Sequence, residues 1–367
     1  MDQAVGEVPA GTTASEQISR EELQLATRNH GMPLEALRWP VTPLGLHYLL
    51  IHYDIPVVDP DGWRLRLDGR VERARSLTLE ELRARPAVTR PVTMECAGNG
   101  RARLSPRAIS QPWLLEAVGT AEWTGTPLAP LLDEAGVADD AVEVVFTGLD
   151  RGVEGDVEQR YQRSLALAEA RREEVLLAWA VNGQPLPPQH GFPLRLLVPG
   201  WYGMTSVKWL ERITVSAEPF GGYQQARVYR WRSHPDEPGE PVTRIVPRSL
   251  MVPPGIPDFL TRRRFVPLGP CRLEGRAWSG WAPIVRVEVS TDGGRGWAPA
   301  ELADPPAPNA WQAWSYVWEP PGPGEYELCC RAADATGREQ PTTPRWNLGG
   351  YADNDVQRIA VTVGDAA

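Results

Sequence analysis

Residues 93–101 place a cysteine where it could do chemistry, because it follows an apolar strand and precedes a glycine-rich turn. The segment reads Thr-Met-Glu-Cys-Ala-Gly-Asn-Gly-Arg, with the thiol at Cys96 and a guanidinium five residues later at Arg101. A thiolate on a turn whose glycines let backbone N–H groups approach is a plausible soft metal ligand beside an anion site. The alternative for these residues is a small buried thiol next to a tight turn.

A second segment gathers cationic donors around another glycine-rich loop. It runs from His190 through Arg195 to Lys208, which is the one lysine among the 38 basic residues of the chain. An imidazole, a guanidinium and a compact ammonium fit a phosphorylated cofactor. The alternatives are a loop histidine and a lysine retained by chance. A third segment, Thr27-Arg28-Asn29-His30, adds a guanidinium, an amide and an imidazole in consecutive positions.

The other cysteines offer no metal site of their own. Cys329 and Cys330 are neighbours in a predicted strand, so their side chains point to opposite faces and cannot chelate one ion together. Cys271 has no visible partner, and no CxxC pair or HExxH motif supports a zinc site. A metal at Cys96 would therefore need most of its ligands from elsewhere.

Composition limits the class of protein. A chain of 367 residues with 42% hydrophobic and 23% charged residues predicts two or three globular domains. The net charge of −9 argues against general nucleic-acid binding, and no apolar run approaches the roughly 20 residues of a membrane span. The first twenty residues lack the basic and apolar regions of a signal peptide, so we expect a cytoplasmic protein.

With these three segments in hand, the chain resembles the sulfite oxidase family of molybdenum enzymes, which includes the molybdenum domain of eukaryotic nitrate reductase. The resemblance spans most of the chain. It implies that Cys96, in its Cys-Ala-Gly-Asn motif, ligates molybdenum together with a pterin dithiolene. It also implies that the molybdopterin is bound by Arg28, Asn29, His30, Asp150, His190, Arg195, Ser206, Val207 and Lys208.

The same resemblance implies a substrate pocket and an activity. It assigns Arg28 and Arg101 to an oxyanion, Trp113 to the pocket tryptophan and Tyr229, rather than Tyr223, to the pocket tyrosine. The implied reaction is oxygen-atom transfer to or from a small oxyanion or oxide, like that of sulfite oxidase, with nitrate or S-/N-oxide reduction as the alternative.

One position departs from the family's pocket. A family arginine in a Trp-Asn-Leu-Arg-Gly segment is replaced by Gly349 in Trp346-Asn-Leu-Gly-Gly. Losing a charge-assisted contact costs about 1.5–3 kcal/mol. This replacement therefore weighs against sulfite as the natural substrate, although the cofactor assignment does not depend on it.

Residues 1–240 predict a mixed α+β domain without regular βαβ alternation. Thr78 with Glu81 predicts a helix that ends before Pro86, and Thr126-Pro127 predicts one that stops at Gly136. Strands are predicted over 142–146 and 175–181, the latter followed by an Asn-Gly turn.

Residues 241–367 predict a linker followed by a β-sandwich of immunoglobulin-like size. Residues 238–270 are rich in proline, glycine and arginine, and we interpret them as a linker in which Arg262-Arg263-Arg264 is a solvated or interface patch. Beyond them, 285–291 alternate into a glycine turn, and Trp314, Tyr316 and Trp318 share one strand face that we interpret as core. The resemblance implies that this second domain mediates dimerisation.

No haem, flavin or nicotinamide motif is evident, so we expect electrons to pass to or from an external partner such as a cytochrome. Two other classes stay open from the residues alone. The first is a cysteine hydrolase that pairs Cys96 with His190 or His30. The second is a non-catalytic binding protein whose tryptophan-rich sandwich does the work.

Overall fold

The computed structural model describes residues 18–364, in which helices are few and short. The α-helices are α1 (Arg20–Arg28), α2 (Leu79–Arg83), α3 (Ala129–Ala135) and α4 (Leu167–Ala170). Short 3₁₀ turns occupy Leu34–Arg38, Leu44–Leu46, Arg101–Arg103, Pro188–His190 and Gly203–Thr205, and a π-helical turn occupies Gln224–Val228.

Strands form most of the regular structure. Those of the first two thirds of the chain are β1 (Leu65–Gly69), β2 (Arg75–Leu77), β3 (Val88–Glu95), β4 (Val118–Pro127), β5 (Glu143–Glu154), β6 (Val157–Ala166), β7 (Leu176–Val181), β8 (Gln184–Pro185), β9 (Arg195–Leu197), β10 (Leu210–Ser216), β11 (Arg230–Trp231) and β12 (Glu240–Pro241). Those of the last third are β13 (Arg248–Met251), β14 (Ile256–Pro257), β15 (Arg264–Pro267), β16 (Cys271–Trp278), β17 (Ile284–Ser290), β18 (Ala298–Pro299), β19 (Glu301–Leu302), β20 (Gln312–Trp318), β21 (Gly324–Asp334) and β22 (Gln357–Gly364).

Two five-stranded sheets build the first part of the molecule. One has the order β2-β1-β10-β5-β6, and the other has the order β3-β4-β7-β8 with β9 added against β7. Strands β1 and β10 run parallel, whereas their neighbours pair antiparallel. Apolar side chains of both sheets, such as Leu67, Phe146 and Leu196, pack into one core. The predicted mixed α+β class is confirmed, with more strand than helix.

Local signals predicted several boundaries well. Glu81 N–H donates to Thr78 Oγ1 (3.0 Å) and Thr78 N–H donates to Glu81 Oε2 (2.7 Å), so the predicted capping box is present. Gly136 ends α3 with φ of +70°. The predicted start of α3 at Thr126-Pro127 is wrong, because β4 continues to Pro127, where it pairs with Leu176 of β7.

The last third forms two sheets that share a core. Their orders are β13-β16-β20-β19 and β14-β15-β22-β21-β17-β18. Trp314 and Trp318 are 2% and 3% exposed in that core, with Tyr316 packed against it, so the interpretation of this aromatic face as core is confirmed. The predicted β-rich second unit is therefore present.

The linker prediction for 238–270 is partly wrong. This segment contains β12 to β15, and β13 belongs to a sheet of the second unit through its pairing with β16. Arg264 is buried and donates to the carbonyl oxygens of Pro253, Pro254 and Gly255, whereas Arg262 is exposed. The carbonyl oxygens of this proline-rich backbone need hydrogen-bond donors, and the buried guanidinium of Arg264 donates to three of them.

The two parts of the molecule meet directly behind Cys96. Glu95 at the end of β3 forms an ion pair with Arg248 of β13 (2.9 Å), and both side chains are 1% exposed. Trp278 of β16 also donates to Glu95 Oε2 at 2.8 Å, and Asn99 donates to Oε1 at 3.0 Å. The second part therefore anchors the strand that carries the candidate cysteine.

Candidate functional site

Backbone hydrogen bonds fix Cys96 at the end of β3. Its N–H donates to Ala117 O (2.9 Å), and its carbonyl oxygen accepts from Asn99 N–H (3.0 Å) in the turn. The Asn99 side chain closes the turn by accepting from Ala117 N–H (3.1 Å). Gly100 has φ of +98°, a conformation that glycine adopts without strain. The local sequence therefore holds the thiol in a fixed position.

Two clefts meet at this cysteine, and we name each after one residue. The His190 cleft is lined by His47, Tyr48, Leu49, Leu50, His52, Met94, Cys96, Asp150, Tyr161, His190, Arg195, Gly203, Met204, Ser206, Lys208 and Tyr229. The Trp113 cleft is lined by Leu25, Leu50, Ile51, His52, Tyr53, Cys96, Gly98, Arg101, Ser110, Gln111, Trp113, Val153, Glu154, Val228, Tyr229 and Tyr351. Cys96 and Tyr229 line both, so a group bound to the thiol would face both spaces.

Two cationic side chains of the His190 cleft, Arg195 and Lys208, lack an ion pair with a carboxylate of the described residues. Within residues 18–364, neither Arg195 nor Lys208 forms an ion pair, and Lys208 Nζ instead donates to the carbonyl oxygens of Leu50 (2.7 Å) and Gln189 (3.1 Å). Burial and then Arg195 lower the pKa of Lys208, while Asp150 opposes them. Burial raises the pKa of Asp150 against the influence of Lys208. Burial lowers the pKa of Lys208 to about 7 but that of Arg195 only to about 10, so Arg195 stays charged at pH 7 and a bound anion would favour the charged form of Lys208.

Two buried histidines of the same cleft are neutral near pH 7. The rings of His47 and His190 lie 5.8 Å apart, edge to face. Burial lowers the pKa of His47 to about 4 and that of His190 to about 2, and the charge of Arg195 acts in the same direction. Each ring can therefore accept a hydrogen bond, a property that a phosphate-binding imidazolium would lack.

These shifts predict acid destabilisation of the protein. Because the folded-state pKa values lie below the unfolded value near 6.5, the unfolded chain binds more protons between about pH 6.5 and 4. The free energy of unfolding should fall in that window as pH falls, by up to about 1.4 kcal/mol per pH unit for each histidine. The free energy of unfolding can be measured by urea denaturation at pH 6.5, 5.5 and 4.5. Its slope against pH should be smaller in His47→Gln than in the wild type, by the amount that corresponds to one bound proton. An unchanged slope would contradict the buried neutral state of His47.

Arg101 and Trp113 define the other cleft. The Arg101 guanidinium lies 4.9 Å from the ring centroid of Tyr351. A Cβ added at Gly350 would lie 2.7 Å from Cγ of Arg101, so the arginine packs closely against this glycine. Trp113 is 5% exposed, and its indole N–H faces the Cys96 thiol. Burial raises the pKa of the Cys96 thiol, whereas the Gly98 N–H, Arg101 and Trp113 act in the opposite direction. These three groups would stabilise a negative charge at the sulfur.

Tyr229 is better placed than Tyr223 to face a ligand. Tyr229 follows the π-helical turn, is 6% exposed, lines both clefts and lies 5.2 Å from the ring of Tyr351. Tyr223 lines neither cleft and packs near Gly155 instead. The structure thus brings Cys96, Arg101, Trp113 and Tyr229 around one space.

The segment Thr27-Arg28-Asn29-His30 lines neither cleft. Arg28 is exposed and donates to Tyr53 O (2.8 Å), and His30 is also exposed. Asn29 is buried, but its side chain accepts from Ile51 N–H (2.6 Å) and so braces the chain beside His52. Val207 is 1% exposed in the core and lines neither cleft. Their assignment to cofactor binding stays a prediction, whereas Asp150, His190, Arg195, Ser206 and Lys208 share the His190 cleft.

Sequence reasoning missed His47 and His52, which line the His190 cleft. His52 contacts Glu154 at 3.0 Å, and Gln224 and Tyr53 also donate to that carboxylate. A signal was available, because the chain has five histidines and these two lie five residues apart.

The two other classes of function find little support. Within residues 18–364, no hydrogen bond joins Cys96 to a histidine, and its raised pKa is the reverse of what an activated cysteine nucleophile needs. The buried Trp314 and Trp318 cannot form a binding platform.

Some buried polar atoms of the two clefts lack partners among the described residues, as expected of a site that binds a polar cofactor such as a molybdopterin. Within residues 18–364, the buried atoms without partners include His47 Nε2, Asp150 Oδ1 and Arg101 Nε, which lie on residues of the two clefts. Buried polar groups normally have partners, so these three atoms are available to a polar ligand. No group of three His, Cys, Asp or Glu side chains able to hold a metal occurs within the described residues, so a metal at Cys96 would need ligands from a cofactor.

Comparisons with known proteins agree with this site. Residues 52–224 match the oxidoreductase molybdopterin binding domain, and residues 250–364 match the Mo-co oxidoreductase dimerisation domain. The chain thus combines a domain of the molybdopterin-binding oxidoreductase type with a second domain of the Mo-co dimerisation type. Within residues 18–364, no helix combines the length and apolar character needed to cross a membrane.

Individual relatives narrow the class to one family. Sulfite oxidase of Gallus gallus is 36% identical over 329 residues, which cover 84% of this chain and 70% of that protein. Mitochondrial sulfite oxidase of Mus musculus is 35% identical, over 88% of this chain and 62% of that protein. The sulfane dehydrogenase SoxCD of Paracoccus pantotrophus is 25% identical with a TM-score of 0.77, over 99% of this chain and 96% of that chain. The chain belongs to the sulfite oxidase family, and it spans 62% of the length of the mouse relative.

Proposed function

We propose that this protein is a molybdenum-cofactor oxidoreductase that transfers an oxygen atom to or from a small oxyanion or oxide. One observation carries the proposal. Cys96 lies at the shared boundary of a cation-rich cleft and a cleft walled by Arg101, Trp113 and Tyr229. The first cleft suits the pterin and its phosphate, and the second suits the substrate.

The residues of the chain have distinct tasks in this proposal. When bound, the cofactor would supply a redox-active molybdenum that exchanges an oxygen atom and two electrons with the substrate. Cys96 would ligate the metal, and Arg195, Lys208 and Ser206 would hold the pterin. Arg101 would attract an oxyanion, and Tyr229 would donate a hydrogen bond to its oxygen or relay a proton.

The deciding experiment is elemental analysis of purified protein together with fluorescence of the released, oxidised pterin. The proposal expects near-stoichiometric molybdenum and pterin from a host that makes the cofactor, and neither from a host that cannot. If protein from a host that makes the cofactor contained neither molybdenum nor pterin, the result would contradict the proposal.

The substrate proposal is sulfite or a related oxyanion, with nitrate or an S- or N-oxide as the alternative. At position 349 the pocket differs from the one that the family resemblance implies, because a Cβ on Gly349 would lie 2.3 Å from Cε2 of Tyr351. The Tyr351 ring therefore fills the space that a side chain at position 349 would enter, and it stacks on Arg101.

Gly349→Arg should therefore fail to supply an extra guanidinium by itself. Overpacking against Tyr351 should lower the free energy of unfolding by about 1–3 kcal/mol. In Gly349→Arg with Tyr351→Ala the overpacking is absent, and the KM for sulfite should fall at least about tenfold relative to Tyr351→Ala alone, because a charge-assisted contact is added. Equal sulfite KM values in the two Tyr351→Ala proteins would contradict this account of the pocket.

For partners, we propose a homodimer through an immunoglobulin-like domain at 241–367, and an external electron partner such as a cytochrome. The matched dimerisation domain includes Phe259 and Leu260, which are 83% and 84% exposed. Phe259→Asp with Leu260→Asp should convert a dimer to a monomer in light scattering, whereas Val57→Asp, on a fully exposed valine of the first part, should not. A double variant that stays dimeric would place the interface elsewhere.

The domain division at residue 240 stays a prediction, and so does the absence of haem, flavin and nicotinamide groups. We also propose a cytoplasmic location, which the four cysteines support because none forms a disulfide.

A further inference from the structure

Arg163 is a buried cation that lines neither cleft. It lies on β6 with 1% of its surface exposed, and within residues 18–364 no carboxylate forms an ion pair with it. Burial lowers its pKa, and the groups that oppose this effect are Tyr161, Tyr229 and Tyr351. A buried charge without a counter-charge is costly, so its presence needs an explanation.

The contacts of Arg163 converge on Tyr229. Its Cζ lies 5.3 Å from the ring centroid of Tyr229, and its Nη1 donates to Gln224 O at 2.7 Å. Gln224 begins the π-helical turn, and Tyr229 directly follows the end of that turn. A single side chain therefore braces both ends of the segment that presents the tyrosine. Such π-helical turns occur frequently at functional sites.

The tyrosines near Arg163 place its charge close to both clefts. Tyr161 and Tyr229 line the His190 cleft, and Tyr229 and Tyr351 line the Trp113 cleft. A charge in a poorly solvated interior acts over a longer distance than one in water. We propose that Arg163 is a positioning residue that holds Tyr229 in place and supplies positive charge for an anion bound between Tyr229 and Cys96. The inference rests on the proposed function, because that function places the substrate anion there.

The test compares Arg163→Met with the wild type by titrating the cofactor-loaded protein with sulfate in a calorimeter. The sulfate Kd should rise about tenfold, because the field of a buried guanidinium is lost. The Tm should change little, because the relieved desolvation of an unpaired buried charge offsets the lost hydrogen bond to Gln224 O. Arg163→Lys should restore part of the affinity. Arg151→Met, on the neighbouring strand β5, removes an exposed arginine whose partner Glu158 is also exposed, and should change neither quantity.

A merely structural role predicts the reverse result, a lower Tm with an unchanged sulfate Kd, and that result would overturn the proposal. Failure of the wild type to bind sulfate would overturn it too. If Arg163 acts through Tyr229, the effects of Arg163→Met and Tyr229→Ala on sulfate affinity should not add in a double-mutant cycle, and additive effects would contradict that route. Molybdenum and pterin are measured on the same samples, and sulfate titration of cofactor-free protein is included. A failure of the cofactor proposal is therefore distinguishable from a failure of this one.

Discussion

Cys96→Ser should abolish molybdenum retention in protein from a host that makes the cofactor. Serine offers a harder and more basic oxygen in place of a soft thiolate, and the described residues provide no cluster of other ligands to compensate. The thiol is also held by its backbone and lies where the Gly98 N–H, Arg101 and Trp113 stabilise negative charge. Elemental analysis should find molybdenum reduced by at least about tenfold, and oxygen-atom transfer should be lost with it.

Cys271→Ser is the matched control for this substitution. Cys271 is partly exposed on β16 and lines neither cleft, so the molybdenum content of this variant should equal that of the wild type. Pterin fluorescence of Cys96→Ser separates loss of the metal from loss of the whole cofactor, because the cations of the His190 cleft remain in place. Full molybdenum content together with full oxygen-atom transfer in Cys96→Ser would show that the thiol does not ligate the metal.

Glu95→Ala should destabilise the protein strongly. It leaves the Arg248 guanidinium as an uncompensated charge with 1% exposure, and it removes the acceptor of Trp278 and Asn99. Breaking a buried ion pair by removing one partner costs about 3–5 kcal/mol. Urea denaturation should show this loss in the free energy of unfolding. Because Glu95 precedes Cys96, molybdenum content should fall as well.

Two comparisons make the Glu95 result specific. Asp140→Ala removes one partner of the ion pair with Arg70, in which both side chains are 53% exposed, and should cost less than about 1 kcal/mol. Glu95→Leu with Arg248→Met should recover much of the lost stability, because no buried charge then lacks its partner. A loss below about 1 kcal/mol in Glu95→Ala would show that this ion pair does not hold the two parts of the molecule together.

Local sequence was informative where short-range physics decides the outcome. The Thr78–Glu81 capping box, the Gly136 helix end and the Asn182-Gly183 turn depend on neighbouring residues, and all three are present. Tertiary packing overrode local signals at Thr126-Pro127, where pairing with β7 extends a strand, and at Arg264, whose carbonyl acceptors lie on a folded-back segment of the chain.

The candidate functional site shows the same division between local sequence and tertiary packing. The sequence by itself determined the family, the candidate thiol and the cation-bearing loop, because those residues occur in contiguous motifs with recognisable chemistry. Only the tertiary structure decided that His52 rather than His30 lines the His190 cleft, that Tyr351 fills the space beside Gly349, and that Arg163 lies against Tyr229. These relations join side chains through burial and close packing, and spacing along a sequence does not encode the energies of either.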